Sequence, residues 1–234
     1  MYFCHAAMIK YSTEIDVAGV IVRDPVTALT NVLIFATALW WFRHLQKHSG
    51  SYLHSRFWGR FALGIGSASL IGVIVHGFSY YTNDYQHLIV WLIMCIVQGI
   101  GISMAQVAVF SNVSQRWRQG LLVLTAIQFV FFVVGMLLIQ SYEIAKLHVA
   151  LGLLPIMIAY GLQGLRGERG KTWIAAGILV SALTAVVHTF KLSFSMWFNY
   201  NDIAHMLIVS SIILIGNGVR MTSDAHFATL NPNA

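Results

Sequence analysis

Long apolar runs separated by short polar connections dominate the chain. A helix that crosses a bilayer needs about 20 mostly apolar residues. Seven runs come close to or reach that length: Val26–Leu45, Phe61–Tyr81, Tyr85–Val109, Leu121–Gln140, Ile144–Leu165, Trp173–Phe194 and Ile203–Val219. No linker rich in Pro, Ser or Gly interrupts the series, which predicts one domain over residues 1–234. The expected fold class is an all-α integral membrane protein, a seven-transmembrane helix bundle. Residues 1–25 form an extramembrane segment before the first span, and residues 221–234 a cytoplasmic tail after the last. Gly64, Gly66, Ser67 and Ser69 mark expected close contacts, since helices in lipid pack through small side chains.

Composition agrees with this pattern. Of 234 residues, 58% are hydrophobic and 9% are charged, whereas a soluble domain carries roughly a quarter of its residues as charges. A cytosolic enzyme, a disordered chain and a secreted disulfide scaffold are excluded. The net charge of +6 does not point to nucleic acid, because the basic residues sit between apolar runs. Arg43, Lys47, Arg56 and Arg60 fall in the first connection, Arg116 and Arg118 in the third, Arg166, Arg169 and Lys171 in the fifth, and Arg220 after the last span. By the positive-inside bias this predicts an outer N-terminus, a cytoplasmic C-terminus and a multi-pass protein of the cell (inner) membrane. Cys4 and Cys95, the latter inside an apolar run, offer neither a disulfide framework nor a CxxC metal site. The N-terminus lacks the basic start and apolar core of a cleaved signal.

Ionisable residues within spans are costly and mark candidate sites. His76, His87, His148, His188 and His205 are all predicted at the outer end of the bundle. Asp84, Asp202, Asp24, Thr27, Thr30 and Asn31 are expected at the same level. His44, His48 and His54 fall in the basic connection and read as solvated loop residues. Asn83-Asp84-x-x-His87 opens the third span and Asn201-Asp202-x-x-His205 the seventh. Each has a histidine before it, His76 or His188. One reading is helix capping, with Asn or Asp accepting from free N–H groups at the helix start. The other is a metal. Asp202 and His205, three residues apart, share a helix face. Imidazole and carboxylate suit zinc, and three protein ligands plus a water make a catalytic site. A carboxylate such as Asp84 would then act as base or orienting partner.

These residues bring a family into view. An acidic-Pro-Val-Thr-x-x-Thr-Asn opening (Asp24 through Asn31), a histidine late in the second span (Ser69 through His76), Asp84, and Asn201 through His205 resemble the CREST superfamily. That group holds alkaline ceramidases, progestin and adiponectin receptors and hemolysin III proteins. The resemblance implies a zinc held by three histidines, with a Ser and an Asp nearby, and in the ceramidases hydrolysis of a sphingolipid amide. Here the first histidine of the family's His-x-x-x-His is Asn201, so His188 or Asp202 would have to complete a set with His76 and His205. The family's serine position is Gly72, with Ser69 one turn further back. Resemblance to alkaline ceramidases would also suggest calcium at Glu14, Asp16 and Asp24; scattered carboxylates otherwise read as solvated.

Three functions compete. The first is a zinc-dependent hydrolase of a membrane-lipid amide or ester, with metal ligands from His76, His188, Asp202 and His205, Asp84 as acid/base, and Ser69 or a backbone donor at the oxyanion. The second is a haem or copper protein, with His76 and His188, or His148 and His205, as axial pairs. The third is a non-enzymatic transporter, sensor or accessory subunit with a membrane-protein partner. Several of the seven tryptophans sit near predicted span ends and read as an interfacial belt, not as a partner surface or cofactor box. A rhodopsin-like reading fails, since no lysine lies in the last span; Lys191, late in the sixth, is explained by snorkelling.

Overall fold

The computed structural model describes residues 13–48 and 52–230. Among these described residues are seven long helices: α1 (Pro25–His48), α2 (Leu53–Gly77), α3 (Asp84–Phe110), α4 (Gln115–Ile139), α5 (Tyr142–Leu165), α6 (Arg169–Phe190) and α7 (Tyr200–Leu230). Each is long and apolar enough to cross a membrane, which makes the chain a multi-pass membrane protein built as an all-α bundle. α1 packs on α2 and α7, α2 on α3, α3 on α5, α5 on α6, and α6 on α7, closing a ring. α4 packs on α3 and α5 and is the least buried helix.

The helix ends differ from the apolar runs mainly at the basic end. α2 begins at Leu53 rather than Phe61, and α7 continues past Val219 to Leu230. No proline falls in these stretches and Gly59 is tolerated, so the coil continues after the apolar pattern stops. His54 therefore lies inside α2 and not in a loop, and the expected cytoplasmic tail is helical as far as Leu230. Residues 231–234 and Cys4 lie outside the described residues. Cys95 is fully buried beside Phe132 and Met136.

The main core joins Ile34 and Trp41 of α1, Trp58 and Phe61 of α2, Ile102 of α3 and Ile212 of α7. Small residues set the closest approaches, as lipid-embedded packing requires. A Cβ on Gly64 would lie 2.6 Å from the Gly101 Cα, and one on Gly170 would lie 2.7 Å from the Gly218 carbonyl oxygen. α2 and α3, and likewise α6 and α7, touch backbone to backbone there.

An antiparallel hairpin precedes α1 and was not foreseen. β1 (Glu14–Val17) pairs with β2 (Val20–Arg23), in register Glu14↔Arg23 through Val17↔Val20. Ala18 and Gly19 form the turn with φ of 53° and 85°, the positive pair that a tight two-residue hairpin needs. The hairpin docks where the Ile21 N–H donates to the Tyr81 hydroxyl at 2.8 Å, in a single 3₁₀ turn after α2. The three carboxylates of this segment each have a protein partner. Glu14 pairs with Arg23 at 2.7 Å, Asp16 accepts from the Gly19 N–H at 2.7 Å, and Asp24 accepts from the Thr13 N–H at 3.3 Å. Asp24 also starts α1, its carbonyl accepting from the Ala28 N–H at 2.9 Å, with Pro25 in the first helical position that proline favours.

Candidate functional site

At the hairpin end, the start of α7 is fixed to α1 through Asp202. Asn199 precedes the helix, and its side-chain oxygen accepts from the Asn201 N–H at 2.8 Å. Asp202 reaches back, Oδ2 accepting from the Asn199 N–H at 2.7 Å. This reciprocal arrangement satisfies donors that a helix start leaves free. The other oxygen, Oδ1, accepts from the Thr27 hydroxyl at 2.7 Å. Thr27 and Asp202 are both 0% exposed. Asp202 is thus a capping group and also a buried tie between two helices.

One turn along each helix, Thr30 meets His205. The Thr30 hydroxyl donates to the Thr27 carbonyl at 3.0 Å, and its oxygen lies 2.8 Å from His205 Nδ1. A hydroxyl has one proton. If that proton serves the carbonyl, His205 must donate from Nδ1, and both bonds are made. Donation to His205 instead would lose the first bond. The network therefore favours the Nδ1–H tautomer of His205, and among the described residues Nε2 makes no hydrogen bond. Both His205 and His76 of α2 are half-buried. The His76 ring meets the His205 ring edge to face, with centroids 6.2 Å apart.

Asn31 completes the α1 contribution. Its Nδ2 donates to the Thr27 carbonyl at 3.0 Å, and its amide lies over Gly72, where a Cβ would come within 2.8 Å of Oδ1. A serine at position 72 would collide with Asn31, so this packing and a serine one turn before His76 exclude each other. Ser69 is half-buried two turns before His76.

His188 is close enough to His76 and His205 to interact with both electrostatically. Its ring packs between Tyr142 and Tyr200, with both centroids 5.5 Å away. Asp84 is exposed in the first turn of α3, where Asn83 is the cap, in a reciprocal pair with Gln86. His87 is half-buried one turn further on.

His148 does not join the cluster. It is buried among α3, α4 and α5, with Nε2 3.3 Å from the Gly99 carbonyl and Nδ1 3.4 Å from Gln128 Nε2. Phe132 stacks on it at 4.2 Å. With both nitrogens engaged there, a His148–His205 axial pair does not form. The five histidines expected at one level separate into a His76–His205 pair, neighbouring His188 and His87, and His148 apart.

Among the described residues, no three His, Cys, Asp or Glu side chains are placed to hold one metal ion. His76 and His205 face each other, but both Asp202 oxygens are occupied and His188 packs against tyrosine rings. The donors present do not fit the three-ligand zinc site read from the sequence.

The stretch that carries this cluster also decides the family. The chain belongs to a family of unknown function, DUF6962, whose family model matches residues 26–224. The match takes in every residue of the cluster from Thr27 to His205 and leaves out the hairpin. No curated protein and no solved structure matches the chain.

His54 is not the solvated loop residue that the sequence predicts. It is 0% exposed, with Nε2 2.9 Å from the Tyr160 hydroxyl and accepting from the Trp58 indole N–H at 3.2 Å. Its Nδ1 is buried with no hydrogen-bond partner. The missed signal was the absence of proline between Leu53 and Phe61, where Gly59 alone disfavours a helix.

Proposed function

We propose that the chain is a lipid hydrolase of the cell membrane, oriented with the hairpin end outside, that cleaves an amide or ester with His205 as its base. The observation that carries this reading is the Thr30–His205 bond at 2.8 Å, which engages Nδ1 of a partly buried imidazole while Nε2 makes no hydrogen bond among the described residues. Orientation rests on the Lys and Arg residues that gather at the opposite end. The resemblance of the Asp24–Asn31, His76 and Asp202–His205 stretches to the CREST superfamily favours lipid hydrolysis over other chemistry.

A water beside His205 gives its proton to Nε2 as its oxygen attacks the lipid carbonyl carbon. The tetrahedral intermediate collapses, and the departing amine or alcohol takes that proton back, leaving a carboxylic acid and His205 unchanged. His76, whose ring meets that of His205, would donate a hydrogen bond to the oxyanion. Thr30 is a positioning residue, holding the tautomer. A lipid substrate enters from the outer leaflet, where it already partitions.

The test is hydrolysis of ceramide, lysophospholipid and monoacylglycerol by the purified full chain in vesicles. Wild type is expected to cleave at least one substrate, with the activity lost in His205→Gln. No cleavage of any substrate, or equal cleavage by the variant, would overturn the reading. Activity abolished by a chelator and restored by zinc would overturn the metal-free base.

A further inference from the structure

α1 and α7 also face each other toward the basic end, and there they leave a groove. The cavity is about 490 Å³, lined by Ala36, Thr37, Trp40 and Trp41 of α1 and Ile213 and Asn217 of α7. That volume is within the usual range for small-molecule sites. Trp41 is buried against Gly216, where a Cβ would lie 2.2 Å from the indole, and so forms the floor. Trp40 is exposed and forms a wall. Asn217 donates Nδ2 to the Ile213 carbonyl at 2.9 Å, placing a polar amide in a groove that otherwise suits a hydrocarbon chain.

The two lining stripes continue toward the charged end with helical spacing. On α1, Trp40 stacks on His44 at 5.2 Å, and His44 on His48 at 4.2 Å. On α7, residues 213, 217, 220 and 224 share a face. The stripes still face each other at this level, since His44 is in electrostatic range of Arg220 and Asp224, as well as of Lys47 on its own helix. Arg220, Lys47 and Asp224 are exposed. Among the described residues, Arg220 makes no ion pair with a carboxylate. An apolar groove thus opens onto a rim with two cationic side chains and one carboxylate.

We infer that this groove is a binding site for an anionic phospholipid, its acyl chain against Trp40 and Trp41 and its phosphate at Arg220 and Lys47. Basic side chains at the membrane surface attract anionic lipid, and an unpaired Arg at the mouth of a hydrocarbon groove suits a phosphate. Asp224 beside Arg220 lowers the net charge of the rim, which favours a singly charged head group over a polyphosphorylated one. The site is independent of the hydrolytic reading.

The test uses the full chain in phosphatidylcholine vesicles that contain a fixed fraction of brominated acyl chains. The bromine is carried either by phosphatidylglycerol or by phosphatidylcholine, and it quenches tryptophan on contact. Brominated phosphatidylglycerol is expected to quench more strongly, and Trp40→Phe to remove the excess. Arg220→Gln and Lys47→Gln, at exposed positions, are each expected to lower the phosphatidylglycerol preference about fivefold. Equal quenching by the two lipids, an excess that survives Trp40→Phe, or a preference unchanged in both charge variants would overturn the site.

Discussion

At the hairpin end, His205 engages Nδ1 with Thr30 at 2.8 Å, and its Nε2 makes no hydrogen bond among the described residues. At the basic end, His54 holds Nε2 against the Tyr160 hydroxyl at 2.9 Å and the Trp58 indole at 3.2 Å, inside a fully buried pocket. Tyr52 stacks on His54 at 5.4 Å and His226 on Tyr52 at 4.2 Å, while Ser55 bonds Ser223 between α2 and α7. The same side chain has one nitrogen without a hydrogen bond among the described residues in one setting and is a buried acceptor in the other. What separates them is which nitrogen the neighbours occupy and whether the other is reachable.

The largest expected effect breaks the hairpin end alone. His205→Gln should lower lipid hydrolysis at least 100-fold, in the range of general-base loss, with a small shift in unfolding midpoint. His54→Leu should do the reverse. It strands the Trp58 and Tyr160 donors in a buried site and should destabilise the chain by about 3 kcal/mol, read by thermal unfolding in detergent. Activity per folded molecule should stay near wild type.

Smaller changes sharpen the contrast. Thr30→Val removes the acceptor that sets the His205 tautomer and should lower activity about tenfold, as lost orienting partners do. Thr27→Val takes one of two donors from buried Asp202 and should cost about 1–2 kcal/mol of stability, with activity falling only as α7 shifts.

The smallest effect concerns Asp24 in the connection before α1. Burial holds its carboxyl above the ordinary range, the Thr13 N–H acts in the opposite direction, and the Asp202 charge adds to the rise. A carboxyl raised on folding favours the folded state most below its unfolded value near 3.8, and that advantage is lost as pH rises through the folded value. Asp24→Asn should therefore raise the unfolding midpoint slightly at pH 7 and leave it unchanged near pH 3. Equal shifts at both pH values would remove burial as the cause.

The bundle was legible because each span is a long apolar run with a polar break on either side. The hairpin was not. Its cue is ten residues long, Glu14 to Arg23, with alternation carried by Ile15, Val17, Val20 and Val22 around Ala18-Gly19. His54 was misplaced because Arg56 and Arg60 beside it suggested solvent, although charged residues in the turns beyond the hydrocarbon remain helical. The cluster itself was half legible. Asp202, His205, His76 and the Thr27–Asn31 stretch were read at one level, but depth does not reveal partners. The bonds Thr27–Asp202 and Thr30–His205 each join residues 175 apart. His148 lies near the start of α5 as expected, yet its side chain faces Gly99 and Gln128.

The most direct measurement is carbethoxylation of the folded chain in vesicles with diethyl pyrocarbonate, mapped by mass spectrometry. The reagent modifies unprotonated, reachable imidazole nitrogens. His205 is expected to react and His54 to stay protected until the protein unfolds. Modification of His54 at the rate of His205, or protection of His205 in the folded state, would contradict the assignment of a free base at one end and a sealed acceptor at the other.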